Sequence, residues 1–286
     1  MWALALGVRR ALSAGFAVVI VLACAGVANA QGGAYTRYVA ESASFVTYSL
    51  SAAVSSGSLS LKINISGKIT EQTVTEVSKA VSMLKEMGKI ARADNPQLVD
   101  NEWPLEVSLW SAGGSVDAAI EIGRLLRSLD ATVEVSQEIV CESSCVLILA
   151  GGTKRRMKGY IGIHRPYFET WTKSPTTAEV SVAMGRMRDK LVAYLSDMNV
   201  DRALADDMMK IAPENIRYLT QADLNRYGLL ERDPVAEEAA ALKEASKYGL
   251  SRSDYMMRKV RIKEVCPKQH KKSYADCEAD IFSGRL

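Results

Sequence analysis

Leu105-Glu106-Val107-Ser108-Leu109-Trp110, followed by Ser111-Ala112-Gly113-Gly114 and then by residues 115–128, holds the pattern on which the fold turns. The first six residues alternate apolar and polar at period two, the mark of a strand. Ser111 to Gly114 reads as a turn. In the next stretch Ala118, Ile120, Ile122, Leu125 and Leu126 supply the apolar side of a helix. The same alternation recurs in both directions. Upstream, Leu59-Ser60-Leu61-Lys62-Ile63-Asn64-Ile65 reads as a strand, and Val74, Val77, Ala80, Val81, Leu84 and Met87 fall on one helical face. Downstream, residues 132–136 read as a strand, residues 143–150 as a short apolar helix ending at Gly151-Gly152, and residues 160–163 as another strand. Strands alternating with helices predict an α/β core with a parallel sheet. Residues 178–198 and 200–211 read as helices, and Thr220 as the N-cap of a third.

Outside this core the character changes. Residues 1–30 combine Arg9 and Arg10, an apolar run from Ala11 to Val27, and Val27-Ala28-Asn29-Ala30, a small-x-small cleavage pattern. Together these predict an export signal removed after Ala30. A retained anchor and a lipid-modified Cys24 are the alternatives; the apolar run is at the short end for a bilayer span, which takes roughly 18 or more residues. Residues 31–58 are polar and weakly patterned, read as a loose segment with a short strand near residues 45–50. The core domain spans residues 59–232, and residues 233–286 read as a charged helical tail rather than core.

Removing the leader takes away two arginines and no acids, so the formal charge falls from +3 to +1. That excludes the basic footprint of a nucleic-acid binder. Four cysteines remain: Cys141, Cys145, Cys266 and Cys277. An even count in an exported chain invites disulfides, with local pairing the simplest of three connectivities. Free thiols are the alternative. Neither spacing is a zinc-type CxxC, so no metal site is expected.

Three stretches at the C-terminal ends of predicted strands can carry chemistry, and ligands collect at that end of a parallel sheet. Gly113-Gly114 lets the backbone approach a ligand ahead of a helix N-terminus. Cys141-Glu142-Ser143-Ser144-Cys145 puts serines at the head of an apolar helix, where a nucleophile gains from the helix dipole and a plain N-cap also belongs. Ile163-His164-Arg165-Pro166 ends an apolar strand with a candidate general base; the other histidine, His270, lies in a basic tail stretch.

Taken in order, these stretches resemble the Clp protease proteolytic subunit family of the crotonase-like superfamily. Ser111-Ala112-Gly113-Gly114 is similar to the family's Ser-Pro-Gly-Gly, with Ala for Pro. Ser143 precedes Gly152 by the family's interval, and Ile163-His164-Arg165-Pro166 is similar to Ile-His-Gln-Pro. Arg217-Tyr218-Leu219-Thr220 with Tyr227-Gly228-Leu229 adds a fourth match. The resemblance implies a repeated ββα core, a trimmed hairpin at residues 154–159, and a peptidase with Ser143 as nucleophile and His164 as base. It also implies an oxyanion hole from the N–H groups of Gly114 and Ser144, with Gly113 in the supporting turn. No cofactor is implied. Peptide or protein substrates and a homo-oligomer are, and export argues against the family's ATPase partner. The Cys141 and Cys145 pair is foreign to the family; a bridge there would fix the turn presenting Ser143. At the family's aspartate position this chain has Ala212, with Asp207 and Glu214 out of register. That leaves a Ser–His dyad, another orienting group such as a backbone carbonyl, or a catalytically weak binder of peptides or partners. Ser144 is a rival nucleophile, and Lys154 or Lys158 a rival base.

Overall fold

The computed structural model of the chain describes residues 18–19, 34–41, 46–53, 58–94, 105–168, 174–268 and 273–286. The expected leader lies outside these, apart from the two-residue strand β1 (Val18–Val19). The core is an α/β assembly in two sheets. The larger sheet contains β1, β2 (Ala34–Glu41), β3 (Val46–Ala53), β4 (Ser58–Ser66), β5 (Leu105–Trp110), β6 (Thr132–Val135) and β8 (Lys154–Met157), side by side in that order. From β4 to β8 every pairing is parallel, and β1 to β4 are antiparallel. The smaller sheet has the order β10 (Arg217–Tyr218), β9 (Tyr160–Ile163), β7 (Val140–Glu142).

Period-two patterning explains β4 and β5. Leu61, Ile63 and Ile65, and Leu105, Val107 and Leu109, are buried while the residues between them are not. Helix α1 (Glu71–Asp94) covers this layer with Val77, Ala80 and Leu84, and α2 (Val116–Ser128) adds Ala118, Ile122 and Leu126. All seven residues of α3 (Cys145–Gly151) are buried, as its unbroken apolar sequence requires.

A strand–strand–helix unit is complete twice, as β6–β7–α3 and as β8–β9–α4, where α4 spans Thr177–Asp197. In the two earlier units single bridges take the place of the second strand: Ile69 pairs with Gly114, and Ser111 with Cys141. Residues 154–159 are not a hairpin. Lys154–Met157 is a core strand parallel to β6, and the chain then crosses to β9, whose parallel partner is β7. In the segment expected to be loose apart from a short strand near residues 45–50, β3 covers that strand, and β2, which was not expected, pairs with it antiparallel.

Helices α5 (Ala203–Lys210) and α6 (Gln221–Arg226) complete the core, with Thr220 capping α6 as expected. The C-terminal stretch folds as α7 (Pro234–Lys247), α8 (Arg252–Val265), a 3-10 turn (Cys266–Lys268) and α9 (Tyr274–Ser283). Read as a charged tail, it nonetheless has an apolar cluster of its own, built from Ala245, Tyr255, Ile262, Ile281 and Phe282 around the Cys266–Cys277 disulfide. Among the described residues no helix is long and apolar enough to cross a membrane.

The stretch joins the core through Asp233. This buried carboxylate caps α7 by accepting from the Val235 and Ala236 N–H groups. It also accepts from Asn199 Nδ2 at 3.0 Å, pairs with Arg127 at 2.6 Å, and faces the buried Arg155 guanidinium at 3.8 Å. Burial pushes the Asp233 carboxyl up, but the Ala236 N–H, Asn199 and Arg127 outweigh it and hold the group below the usual carboxylate range.

Candidate active site

At the end of β5 the chain turns at Ser111, whose hydroxyl donates to Gly67 O at 2.5 Å and accepts from Gly113 N–H at 3.0 Å. This fixes Gly113 and Gly114 at φ 98° and 150°, where side chains are disfavoured. A Cβ at Gly114 would fall 2.1 Å from Ile69 O, so glycine is required by close backbone contact as well. Ser115 N–H then donates to Ile69 O at 2.9 Å, and the Ser115 hydroxyl caps α2.

Ser143 sits on the tight turn from β7 into α3 at φ 56°, in the left-handed region. Its N–H donates to Gly162 O at 2.9 Å, and the N–H of its neighbour Glu142 donates to Ser111 O at 2.9 Å. Strand β9 and the Ser111 turn thus grip the two sides of this turn. The Cys141–Cys145 disulfide closes it, with Cα atoms 5.3 Å apart and both residues fully buried. Among the described residues neither Gly114 N–H nor Ser144 N–H has a hydrogen-bond acceptor.

His164 follows β9 and is buried. Its Nδ1 lies 2.9 Å from the carbonyl oxygen of Arg165, and its ring stacks on Tyr167 with centroids 6.2 Å apart. A carbonyl can only accept, so Nδ1 carries the proton and Nε2 is the basic nitrogen. Arg165 N–H in turn donates to Ile211 O at 2.9 Å, which draws the segment carrying Ala212 alongside the histidine.

Gly113, Gly114, Ser143 and His164 line one cleft of about 1090 Å³, with Trp110 and Tyr167 as exposed aromatic walls. Ser144 is not in the lining; it is 1 % exposed, and its hydroxyl has no partner. Lys154 and Lys158 are not in the lining either. Ser143 Oγ makes no hydrogen bond to His164 in this conformation. Asp207 is engaged elsewhere: its carboxylate accepts from Lys210 and Tyr227 at 2.8 and 2.7 Å and is paired with Arg226. The Lys210, Tyr227 and Arg226 hydrogen bonds hold it far below the usual carboxylate range.

No family model and no curated protein matches the chain. Solved structures do. A membrane-bound stomatin-specific protease is 19% identical, with 62% of this chain and 82% of that one covered at a TM-score of 0.41. ClpP1 from Listeria monocytogenes is 16% identical, with 63% of this chain and 91% of that one covered at a TM-score of 0.41.

Two features of the site were not found by reading the sequence. One is Ser111, singled out only as part of a motif, whose hydroxyl ties the Gly113 turn to Gly67. No local signal marks a serine as buried between two strand ends. The other is the identity of the group behind His164: a backbone carbonyl is one of the alternatives, but that it belongs to Arg165 leaves no trace in residue identity.

Proposed function

We propose that the chain is a serine hydrolase of the peptidase class, with Ser143 as nucleophile, His164 as general base and the N–H groups of Gly114 and Ser144 as oxyanion hole. The observation that carries this reading is the left-handed backbone of Ser143 at a strand-to-helix turn, in the wall of the cleft that His164 also lines. A non-glycine residue held in that region is maintained by its surroundings, and such positions cluster at functional sites.

The chemistry follows from the parts. Ser143 Oγ bonds to the substrate carbonyl carbon as its proton moves to His164 Nε2. The resulting oxyanion meets the two N–H donors, which need not give up existing bonds to receive it. His164 then protonates the leaving amine, and water repeats the sequence on the acyl-enzyme. Where a triad's aspartate is replaced by an amide, activity falls by about 10⁴-fold, largely because the imidazole takes the wrong tautomer. Here the Arg165 carbonyl selects the right tautomer without a carboxylate. It stabilises the imidazolium less than an anion would, so turnover is slow but not abolished.

The test is labelling by a fluorophosphonate probe. Wild type labels and Ser143→Ala does not; equal labelling of both overturns the assignment. The absent acid and the missing Ser143–His164 hydrogen bond favour a second reading, a peptide-binding protein without turnover. Saturable binding of an unstructured peptide with no labelling of wild type supports that instead. Two disulfides agree with an oxidising location, and we place the mature chain outside the cytoplasm, acting without an ATPase partner and as a homo-oligomer.

A further inference from the structure

We propose that the Cys141–Cys145 disulfide is an activation latch: the chain becomes competent to use Ser143 only once these two thiols have been oxidised. The inference rests on the hydrolase reading of Ser143 and concerns the regulation of that site. Its basis is the covalent ring Cys141-Glu142-Ser143-Ser144-Cys145, which has the nucleophile at its centre. Four residues of continuing strand would separate the two ends by about 13 Å, whereas the bridged Cα atoms lie 5.3 Å apart. The bond therefore forbids the extended alternatives that would let Ser143 relax from φ 56°. Apart from the first α3 bonds, Val146 N–H to Ser143 O at 3.2 Å and Leu147 N–H to Ser144 O at 3.0 Å, what ties the turn to its surroundings without it is a pair of backbone hydrogen bonds, Glu142 N–H to Ser111 O and Ser143 N–H to Gly162 O, each 2.9 Å. Both hold the strand side of the turn. No comparable bond from outside α3 holds Ser144, whose hydroxyl is unpartnered.

The two sulfurs belong to residues with no exposed surface. A small thiol cannot reach them in the folded chain, so the latch closes during folding and stays closed. In the closing step a Cys thiolate attacks a disulfide-bearing oxidant and expels one thiolate. The second Cys thiolate then attacks the mixed disulfide and expels the other. The protein gives up two electrons and two protons, and the oxidant leaves as two thiols. A chain still in a reducing compartment would keep its nucleophile unpresented, and transfer to an oxidising one would supply the oxidant.

The experiment compares fluorophosphonate labelling rates of four preparations of the full mature chain. These are oxidised wild type, wild type refolded under reduced thiol, the Cys141→Ala/Cys145→Ala double variant, and the Cys266→Ala/Cys277→Ala double variant, with thermal unfolding of each. Oxidised wild type and the Cys266→Ala/Cys277→Ala chain should label at the same rate, although the latter melts lower. The Cys141→Ala/Cys145→Ala chain and reduced wild type should unfold cooperatively and label about tenfold more slowly, the factor expected when an L-residue is free to leave the left-handed region. Unfolding the reduced wild type and refolding it in the presence of a small-molecule disulfide, so that the thiols are accessible when they are re-oxidised, should restore the rate, which keeps the test decisive if the double variant fails to fold. Labelling of the Cys141→Ala/Cys145→Ala chain at the wild-type rate, or no recovery on re-oxidation, overturns the latch. Failure of oxidised wild type to label overturns the hydrolase assignment itself, and the latch with it.

Discussion

Replacing Gly113 with alanine tests the contact between the glycine turn and the nucleophile. An added Cβ would lie 2.6 Å from Ser143 Cβ, 2.9 Å from Glu142 O and 3.1 Å from Ser143 Oγ. Carbon atoms pack at about 3.5–4.0 Å, so the shortfall is about 1 Å. The Glu142 backbone cannot give way easily, because its N–H is bonded to Ser111 O and the next N–H to Gly162 O. The group that moves is the Ser143 side chain with its turn. A displacement of about 1 Å at a reacting group costs on the order of 100-fold in rate, or about 2.7 kcal/mol in the barrier. The backbone adds its own cost, since φ 98° is unfavourable for an L-residue by at least about 1–2 kcal/mol of stability. Gly185 is the matched control. It lies inside α4, and a Cβ there meets nothing within 4 Å, so Gly185→Ala should stabilise by up to about 1 kcal/mol and leave the site untouched. Labelling rates and urea unfolding of both variants give the answer. Labelling of Gly113→Ala at the wild-type rate would refute the close contact between the glycine turn and the nucleophile.

Other outcomes follow from the buried charges and the second disulfide. Asp233→Ala leaves Arg155, which is fully buried, without its carboxylate, and should cost about 3–5 kcal/mol in urea unfolding; a change near zero would mean that α7 is not secured there. Asp207 has its carboxyl lowered in the folded state by Lys210, Tyr227 and Arg226. Its contribution is therefore complete above the ordinary carboxylate value of about 3.9 and is lost as pH falls below it. Asp207→Asn should be less stable at neutral pH and should show a flatter acid limb of stability against pH; an unchanged limb refutes the assignment. Cys266→Ala/Cys277→Ala opens a loop with a sequence separation of 11, which the chain-entropy account values at about 3 kcal/mol, measurable as a lower denaturation midpoint.

The missed and the recovered elements have different physical origins. Strands β4 and β5 were legible because alternation over six or more residues records one buried face. The three- and four-residue strands β7 and β8 were not. In β8, Lys154-Arg155-Arg156-Met157 carries three charges in a row and reads as part of a trimmed hairpin, yet Arg155 is buried. Its guanidinium donates to Ala150 O at 2.8 Å and Met198 O at 3.2 Å, and lies opposite Asp233. Burial of that cation is tolerable only because separate segments bring acceptors to it. Residues from 233 on were legible as a charged helical tail, but not that the Asp233 carboxylate would cap its first helix and also meet Arg127 and Asn199.

The sequence by itself determined the apolar strand and helix faces, the glycine turn at Gly113-Gly114, and the candidacy of Ser143 and His164. Each of these is recorded in periodicity or in residue chemistry over a few neighbours. Only the tertiary structure decided that Ser143 rather than Ser144 faces the cleft, that Asp207 is engaged away from His164, and that the Arg165 carbonyl lies behind the ring. Those outcomes depend on where strands β7 and β9 and the segment at Ile211 meet, and on the sign of φ at one serine. Such contacts join residues far apart in the chain through backbone groups that every residue type shares, so residue identity alone does not encode them.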